Sequence, residues 1–143
     1  MSRPGPDPEI ALWVAMNRAH RSVFLAANVK LREANLPPLH WYDVLWSIER
    51  NGGSLRPLEL EDLLIFEQSN LSHLLHRIEA KGLIERSEFA GDKRGRILTI
   101  TEIGLTTRRK MWDIYGKILD DKLKPLCGIT GRDALVCALS RLS

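Results

Sequence analysis

Residues 69–77 place hydrogen-bonding side chains on one face of a predicted helix. Apolar residues recur at helical spacing along residues 71–78 and must face inward. The outward face carries hydroxyl, amide, imidazole and guanidinium groups, and its first carboxylate is Glu79. Such a face can approach phosphates and base edges without repulsion, which predicts contact with the major groove of duplex DNA. The candidate contacts are Ser69, Asn70, Ser72, His73, His76 and Arg77.

A second group of basic side chains follows on a predicted hairpin tip. Lys93, Arg94 and Arg96 fall within four residues on a glycine-flanked turn. A guanidinium on a projecting tip reaches far enough to enter a minor groove. Asp92 either orients Arg94 through a charge-assisted hydrogen bond or simply forms the turn. Because this tip directly follows a candidate recognition helix, the sequence predicts a DNA-binding wing.

Each feature also has a simpler explanation. A polar helix face and a basic turn are often only solvated, and Ser69 is more simply a helix cap than a base contact. A helix followed by a basic hairpin can also belong to a winged-helix protein-interaction module that does not bind DNA, which is the alternative function. His73 and His76 have no cysteine or carboxylate beside them, and no nucleophile or acid–base pair has catalytic spacing. We therefore predict no metal, no cofactor and no enzymatic activity.

The elements that position these residues are mainly helical. Residues 9–36 contain a long helix that is apolar on more than one face, which a small domain can hide only against a second subunit. Further helices are predicted at residues 40–50, from Pro57, and at residues 69–81, where Gly82 ends the helix. The period then becomes strand-like at residues 84–90 and 96–100, which indicates a hairpin. Thr101 and Thr130 are predicted to cap the last two helices.

These patterns predict a mainly α-helical winged helix-turn-helix fold with a small β-hairpin wing. Residues 1–8 are expected to form a flexible arm, and residues 9–143 a single domain. Within this domain, residues 39–101 form the DNA-binding lobe, and residues 9–36 and 102–143 supply dimerisation helices. The expected partners are therefore double-stranded DNA and a second copy of the chain.

Composition sets broader limits on the function. The 143 residues are 44% apolar and 27% charged, and the net charge of +3 is only a mild excess. No apolar run is long enough for a membrane span, and the Pro-rich start lacks the core of a signal peptide, so we expect a soluble cytoplasmic protein without membrane contact. Cys127 and Cys137 lack metal or disulfide spacing and are expected to be small buried residues.

Two longer motifs resemble the MarR family of bacterial transcription regulators. The run SNLSHLLHRIEAKGLIER, residues 69–86, resembles the family's recognition helix and its Gly-Leu-Ile/Val-x-Arg entry into the wing. The run GDKRGRILTITEIG, residues 91–104, resembles its Asp-x-Arg wing tip and Leu-Thr-x-x-Gly exit. The resemblance extends more weakly to residues 39–45 and the terminal helices.

The resemblance implies specific roles. The terminal helices would form the dimer interface, Ser72, His73 and Arg77 would occupy recognition-helix positions, and Arg94 would be the minor-groove arginine. His73 and Lys93 stand where arginine is common in the family. These two departures bear on the preferred base sequence and not on binding itself.

The resemblance also implies regulation, with a leaning toward repression. Relatives commonly respond to small aromatic or phenolic ligands, or to oxidants through a cysteine. Cys127 and Cys137 lie far from the N-terminal cysteine of the peroxide-sensing relatives, so an aromatic effector is favoured. The candidate pocket residues, which core packing could equally explain, are Trp13, Tyr42, Trp46 and Trp112.

Overall fold

The computed structural model describes residues 5, 7–89, 92–128 and 131–143, with side chains for all of these except 89, 92–95, 127 and 128. Helices predominate, and a short 3-10 helix, Lys124–Gly128, precedes the last of them. The elements in chain order are α1 (Pro8–Glu33), α2 (Leu39–Arg50), β1 (Ser54–Leu55), α3 (Pro57–Leu63), α4 (Leu71–Ala80), β2 (Ile84–Phe89), β3 (Asp92–Ile100), α5 (Glu102–Leu123) and α6 (Arg132–Ser140).

Helix α1 begins one residue earlier than the sequence pattern predicts. The carboxylate of Asp7 accepts the backbone N–H of Glu9 at 3.2 Å, and Pro8 fits the first turn because its missing N–H would have no partner there. Most of the predicted flexible arm lies outside the described residues. At the other end of the helix, Asn28 Oδ1 accepts the backbone N–H of Leu39 at 2.8 Å, which joins α1 to the start of α2.

The three strands form an antiparallel sheet in the order β1-β3-β2. The predicted hairpin is present as β2 and β3, and the register between them shifts at Glu88 and Phe89. Strand β1 was not predicted, because two residues are too few to display a period of two. Its Ser54 and Leu55 pair with Thr99 and Leu98 of β3, so the long-range partner defines this strand.

Helix α2 lies between two apolar cores. One side of α2 packs with α3, α4 and the sheet, where Leu45, Ile48 and Leu60 are fully buried. The other side packs with α1 and α5, where Leu31 and Met111 are fully buried. Each such side chain stabilises the fold by roughly 1.5–3 kcal/mol on burial. Because α2 belongs to both cores, it fixes the position of residues 39–101, the predicted DNA-binding lobe, relative to the long helices.

The cap of α4 differs from the prediction. Helix α4 begins at Leu71, and Asn70 is its N-cap residue, with Oδ1 accepting the His73 N–H at 3.1 Å. Ser69, the predicted cap, lies in the preceding turn. The Asn70 side chain accepts the N–H of the third residue of the helix, so the cap position is already filled and Ser69 cannot occupy it.

The last two helices begin in different ways. Thr101 caps α5 as predicted, because its Oγ1 accepts the Gly104 N–H at 3.0 Å. Helix α6 begins after Gly131 without a side-chain cap. The predicted cap of α6, Thr130, lies outside the described residues.

Large apolar side chains are exposed mainly on the terminal elements. Trp13 is 64% exposed on α1, and Val136 is 58% exposed on α6. In the described part of the chain, the exposed large apolar side chains outside the DNA-binding lobe are Ile10, Leu12, Trp13, Val14, Leu25, Val29, Ile103, Trp112, Leu123, Leu126, Val136 and Leu142. The prediction that both cysteines are buried is wrong for Cys137, which is exposed and free in the single chain, because α6 packs on little of the remaining structure. Among the described residues, no helix is both long and apolar enough to cross a membrane.

Candidate nucleic-acid interface and the adjoining cavity

Helices α3 and α4 form a helix-turn-helix that α2 holds in place. The guanidinium of Arg50 donates a hydrogen bond to the carbonyl of Leu63, at the last residue of α3. The first turn of α3 is closed by the Glu59 carboxylate, which accepts the Arg56 N–H at 2.9 Å. The connecting turn spans residues 64–70 and leads into α4.

Helix α4 divides into a buried and an exposed face. Leu74, Leu75 and Ile78 are buried, as their spacing predicts. The six predicted contact residues all lie on the exposed side: Ser69, Asn70, Ser72, His73, His76 and Arg77. The side-chain oxygen of Asn70, Oδ1, accepts the capping hydrogen bond, so the side-chain NH₂ group remains to donate hydrogen bonds.

The first carboxylate beyond this face is neutralised. Glu79 forms an ion pair with Arg86 of β2, with 2.9 Å between Oε2 and Nε, and the Arg86 side chain is only 14% exposed. Gly82 has a φ of +73°, the left-handed conformation that the sequence predicts after the helix. The ion pair and the tight turn together hold the hairpin against the end of α4.

Arg77 is oriented by a residue of α2. Its guanidinium carbon lies 5.9 Å from the ring centroid of Trp41, at the outer limit of a cation–π contact. The same two side chains line a shallow depression at the N-terminal end of α4. Sequence analysis did not detect the role of Trp41, because its spacing shows only that it faces the core.

Only one of the three basic side chains of the hairpin lies within the described structure. The Arg96 side chain is exposed on β3, opposite Glu88 of β2. The side chains of Lys93 and Arg94 lie outside the described part of the chain. Strand β3 itself is anchored, because Leu98 and Ile100 are buried in the lobe core.

A buried carboxylate holds the turn before α4. Asp43 of α2 is 1% exposed, and its Oδ2 accepts the backbone N–H groups of Ile65 and Phe66 at 2.9 and 2.8 Å. Its Oδ1 accepts the Ile65 N–H at 3.1 Å. Burial raises the pKa of Asp43, although these two hydrogen bonds oppose the shift.

A second contact joins the same turn to α2. The Gln68 side-chain amide donates a hydrogen bond to His40 Nδ1. Burial lowers the pKa of His40, and the nearby Asp43 charge opposes this effect. Helix α2 therefore positions the start of α4 at two points.

An aromatic cavity of about 340 Å³ lies behind this turn. Tyr42 is nearly parallel to Trp46 and Trp112, with ring centroids 6.4 and 6.1 Å apart. The structure thus brings together three of the four predicted pocket residues. Trp13 does not line this cavity in the single chain. The lining residues are Tyr42, Asp43, Trp46, Ile65, Phe66, Arg108, Trp112, Tyr115 and Leu119.

Arg108 is the basic residue that lines this cavity, and it already has an acidic partner. Its Nη2 donates to Glu49 Oε1 at 3.0 Å, and its Nε pairs with Glu49 Oε2. Burial opposes its charge, but the hydrogen bond and charge of Glu49 outweigh this effect and raise the pKa of Arg108. Burial raises the pKa of Tyr42, and the neighbouring Arg108 guanidinium opposes this effect. Both of the cavity's charged residues, Asp43 and Arg108, were missed by the sequence analysis, since no local motif marks them.

No metal centre accompanies these features in the described part of the chain. Nowhere do three or more histidine, cysteine, aspartate or glutamate side chains cluster closely enough there to hold an ion. His73 and His76 are both exposed, one turn apart on α4.

Comparisons with known proteins show which family model and which folds the chain is similar to. Residues 34–95 match the family model of the MarR family. The whole chain is similar in structure to AbsC, a MarR family transcriptional regulator from Streptomyces coelicolor, with 24% identity, a TM-score of 0.82, and coverage of 99% of this chain and 95% of AbsC. A mutant of E. coli MarR complexed with operator DNA has 23% identity and a TM-score of 0.79, with coverage of 93% and 94%. An organohalide-sensing regulator in its 2,4-dichlorophenol-bound form has 21% identity and a TM-score of 0.77, with coverage of 99% and 88%.

The matched residues 34–95 run from the end of α1 to the hairpin and include the whole helix-turn-helix. The fold shared with these regulators extends over both long helices as well. Residues 34–95 therefore match the MarR family model, and the whole chain has the winged helix-turn-helix fold of these regulators, as the motifs at residues 69–86 and 91–104 predict.

Proposed function

We propose that the chain is a sequence-specific DNA-binding transcription regulator that acts as a homodimer. The observation that carries this proposal is the exposed face of α4, which has no carboxylate before Glu79 and is held against the hairpin by the Glu79–Arg86 ion pair. A winged helix with this charge distribution suits the major groove, with its hairpin over the adjacent minor groove. The relative crystallised with operator DNA supports the same use of the fold.

A homodimer would place two recognition helices about one helical turn of DNA apart, ~34 Å. The operator would then be an imperfect palindrome, and binding would repress transcription. As a regulator of transcription, the protein would act in the cytoplasm. Footprinting over the region that flanks its own gene should give two related half-sites, whereas a single asymmetric contact would contradict the proposal.

The aromatic cavity supports a further part of the proposal, namely relief of repression by a small aromatic molecule. The cavity is lined by Ile65 and Phe66, the two residues whose N–H groups Asp43 holds in the turn before α4. A molecule that displaced this turn would shift the recognition helix. The relative bound to 2,4-dichlorophenol supports an aromatic occupant.

Replacement of Arg94 by alanine should weaken DNA binding by about 1–3 kcal/mol, because one guanidinium would be lost from the minor groove. This corresponds to a roughly 5- to 150-fold increase in Kd. Fluorescence anisotropy with a labelled fragment from the flanking region would measure the change at two salt concentrations. Lys117→Ala removes one positive charge from the exposed side of α5 and should leave Kd within about twofold. Equal affinity of the Arg94 variant and the wild type would remove the wing from the proposed mechanism, and a wild type without specific DNA binding would favour the protein-interaction module.

Replacement of Trp13 by glutamate should convert the dimer to monomers. Trp13 is 64% exposed in the single chain, so the change removes no core contact and the fold should persist. A dimer would bury the new carboxylate twice by symmetry, which should raise its dissociation constant more than about a hundredfold. Sedimentation velocity with circular dichroism would measure mass and folding.

The matched control for this experiment is Leu58→Glu. Leu58 is 79% exposed, lies on α3 of the DNA-binding lobe, and is close to a helix N-terminus that tolerates a carboxylate. This variant should remain dimeric. A wild-type protein that is monomeric at tens of micromolar, or a Leu58 variant that dissociates equally, would refute the terminal-helix interface.

A further inference from the structure

The walls of the aromatic cavity are mostly π faces and edges. Tyr42 lies in the middle, nearly parallel to Trp46 and Trp112 and perpendicular to Tyr115, whose centroid is 5.2 Å away. Phe66 adds a fifth ring to the lining. The face of each ring carries negative electrostatic potential, so a cation in contact with a ring face is attracted and an anion there is repelled.

The two charged side chains that line the cavity are not equally neutralised. Arg108 has a carboxylate partner in Glu49, which contacts it with both oxygens. Asp43 accepts hydrogen bonds from neutral backbone N–H groups and forms no salt bridge with a cation in the part of the chain that the structure describes. His40 and Arg50 interact with it only through the longer-range electrostatic effect on its pKa.

A buried carboxylate without a cationic partner is costly, and a ligand that supplies the missing charge would recover part of that cost. The rise in the pKa of Asp43 that burial causes is consistent with this incomplete compensation. A phenolate or carboxylate ligand would instead face both the aromatic rings and the Asp43 charge. It would also have to compete with Glu49 for Arg108.

We propose that the effector of this regulator is a small arylalkylamine, an aromatic ring that carries an aliphatic amine, and that it binds in its protonated form, with its ring among Tyr42, Trp46 and Trp112 and its ammonium group at the Asp43 carboxylate. This inference rests on the proposed function, since it names the chemical class of the effector. The volume of about 340 Å³ is at the lower end of ligand pockets and suits one or two fused rings. Because Asp43 also holds the turn before α4, a bound ammonium group would compete with the Ile65 and Phe66 N–H groups for the same oxygens.

Three ligands with the same ring test the charge preference: 1-naphthylmethylamine, 1-naphthalenemethanol and 1-naphthoate. Isothermal titration calorimetry with the full chain, without DNA, should show the amine binding at least tenfold more tightly than the alcohol, with naphthoate weakest. Naphthoate binding most tightly, or equal affinities for all three, would overturn the proposal.

The variant Asp43→Asn tests the residue assigned to the charge. Asparagine keeps an acceptor oxygen for the turn but loses the charge, so the preference for the amine should disappear while the affinity for the alcohol changes less than threefold. Asp113→Asn removes an exposed carboxylate next to Trp112 that does not line the cavity, and it should leave the preference intact. An equal loss for all three ligands in the Asp43 variant would mean that Asp43 only shapes the cavity, and would overturn the proposal.

A pH titration of the wild-type protein gives a second test that does not depend on the folding of a variant. Protonation of Asp43 should reduce the affinity for the amine as the pH falls, but not the affinity for the alcohol. An affinity for the amine that does not change as the pH falls would contradict the assignment of Asp43 as the partner of the ammonium group. The calorimetry contains no DNA, so the two proposals can fail separately. A failure of DNA binding would refute the proposed function and leave the ligand result unaffected. A failure of the amine to bind preferentially would refute the assigned effector and leave the DNA-binding result unaffected.

Discussion

Replacement of Asp43 by alanine is expected to lower the free energy of unfolding by about 3 kcal/mol. The change removes the acceptor of two backbone N–H groups, on Ile65 and Phe66, and each unsatisfied buried donor costs roughly 1–3 kcal/mol. Ile65 is largely exposed, so water can satisfy part of this loss. Urea denaturation followed by circular dichroism would measure the change.

The matched control is Asp43→Asn, because an amide oxygen at the position of Oδ2 can accept both N–H groups. Its stability should lie within about 1 kcal/mol of the wild type. If the asparagine variant lost as much stability as the alanine variant, the charge and not the hydrogen bonding would hold the turn. If the alanine variant lost none, the contacts seen at Asp43 would contribute nothing measurable.

The two variants should also differ from the wild type in their pH dependence. Burial raises the pKa of Asp43 above its ordinary value of 3.8, so the folded state holds this proton more tightly than the unfolded state. At low pH this tighter proton binding adds to the free energy of unfolding of the wild type. That contribution is lost as the pH rises from 3.8 through the folded-state pKa. Asparagine has no such proton, so Asp43→Asn should gain stability relative to the wild type over that range. A constant difference between pH 3.5 and 7 would contradict the direction of the shift.

Replacement of Gly104 by alanine should destabilise the protein by about 3 kcal/mol or more. An added Cβ would lie 2.1 Å from the carbonyl oxygen of Leu83 and 2.8 Å from Cγ1 of Ile100. The carbonyl cannot move aside easily, because it accepts the Thr101 N–H at 3.1 Å. The start of α5 would therefore have to separate from the turn that follows α4, which should lower both thermal stability and DNA affinity.

Gly116→Ala serves as the control because it is in the same helix. There the nearest atom to an added Cβ is Cε2 of the Trp112 ring, at 3.1 Å, and alanine gains up to about 1 kcal/mol in helix propensity. The two effects oppose each other, so the stability should change by less than about 1 kcal/mol. Thermal unfolding followed by circular dichroism would compare the two variants. Equal transition temperatures would show that the α5 junction can relax around a methyl group.

The Gly104 prediction explains one family motif in physical terms. Gly104 ends the exit motif, in which Ile100 stands at the leucine position, and Thr101 in the same motif both caps α5 and donates its hydroxyl to the Gly82 carbonyl at 2.6 Å. The motif therefore packs the start of α5 against the turn that follows α4. Its spacing could be recognised in the sequence, but its close approach to Leu83 could not, because the two residues are 21 positions apart.

Local spacing in the sequence was sufficient to determine the helices and the exposed face of α4. Leu74, Leu75 and Ile78 recur with the helical period, so their burial followed directly, and Gly82 marked the left-handed residue after the helix. Periodicity is a property of neighbouring residues, which is why it can be recognised without knowledge of the fold. The cap at Asn70 was missed because Ser69 and Asn70 are both good capping residues, and only the path of the turn selects between them.

Tertiary structure decided everything that depends on residues far apart in the chain. Asp43 meets Ile65 and Phe66 from 22 and 23 positions away, β1 exists only through its pairing with β3, and the aromatic cavity combines α2 with α5. Trp13 shared the residue type of the cavity tryptophans but lies on an outer face of α1. Spacing along the chain specifies which side of a helix a residue occupies, whereas only the packing of the helices specifies what that side touches.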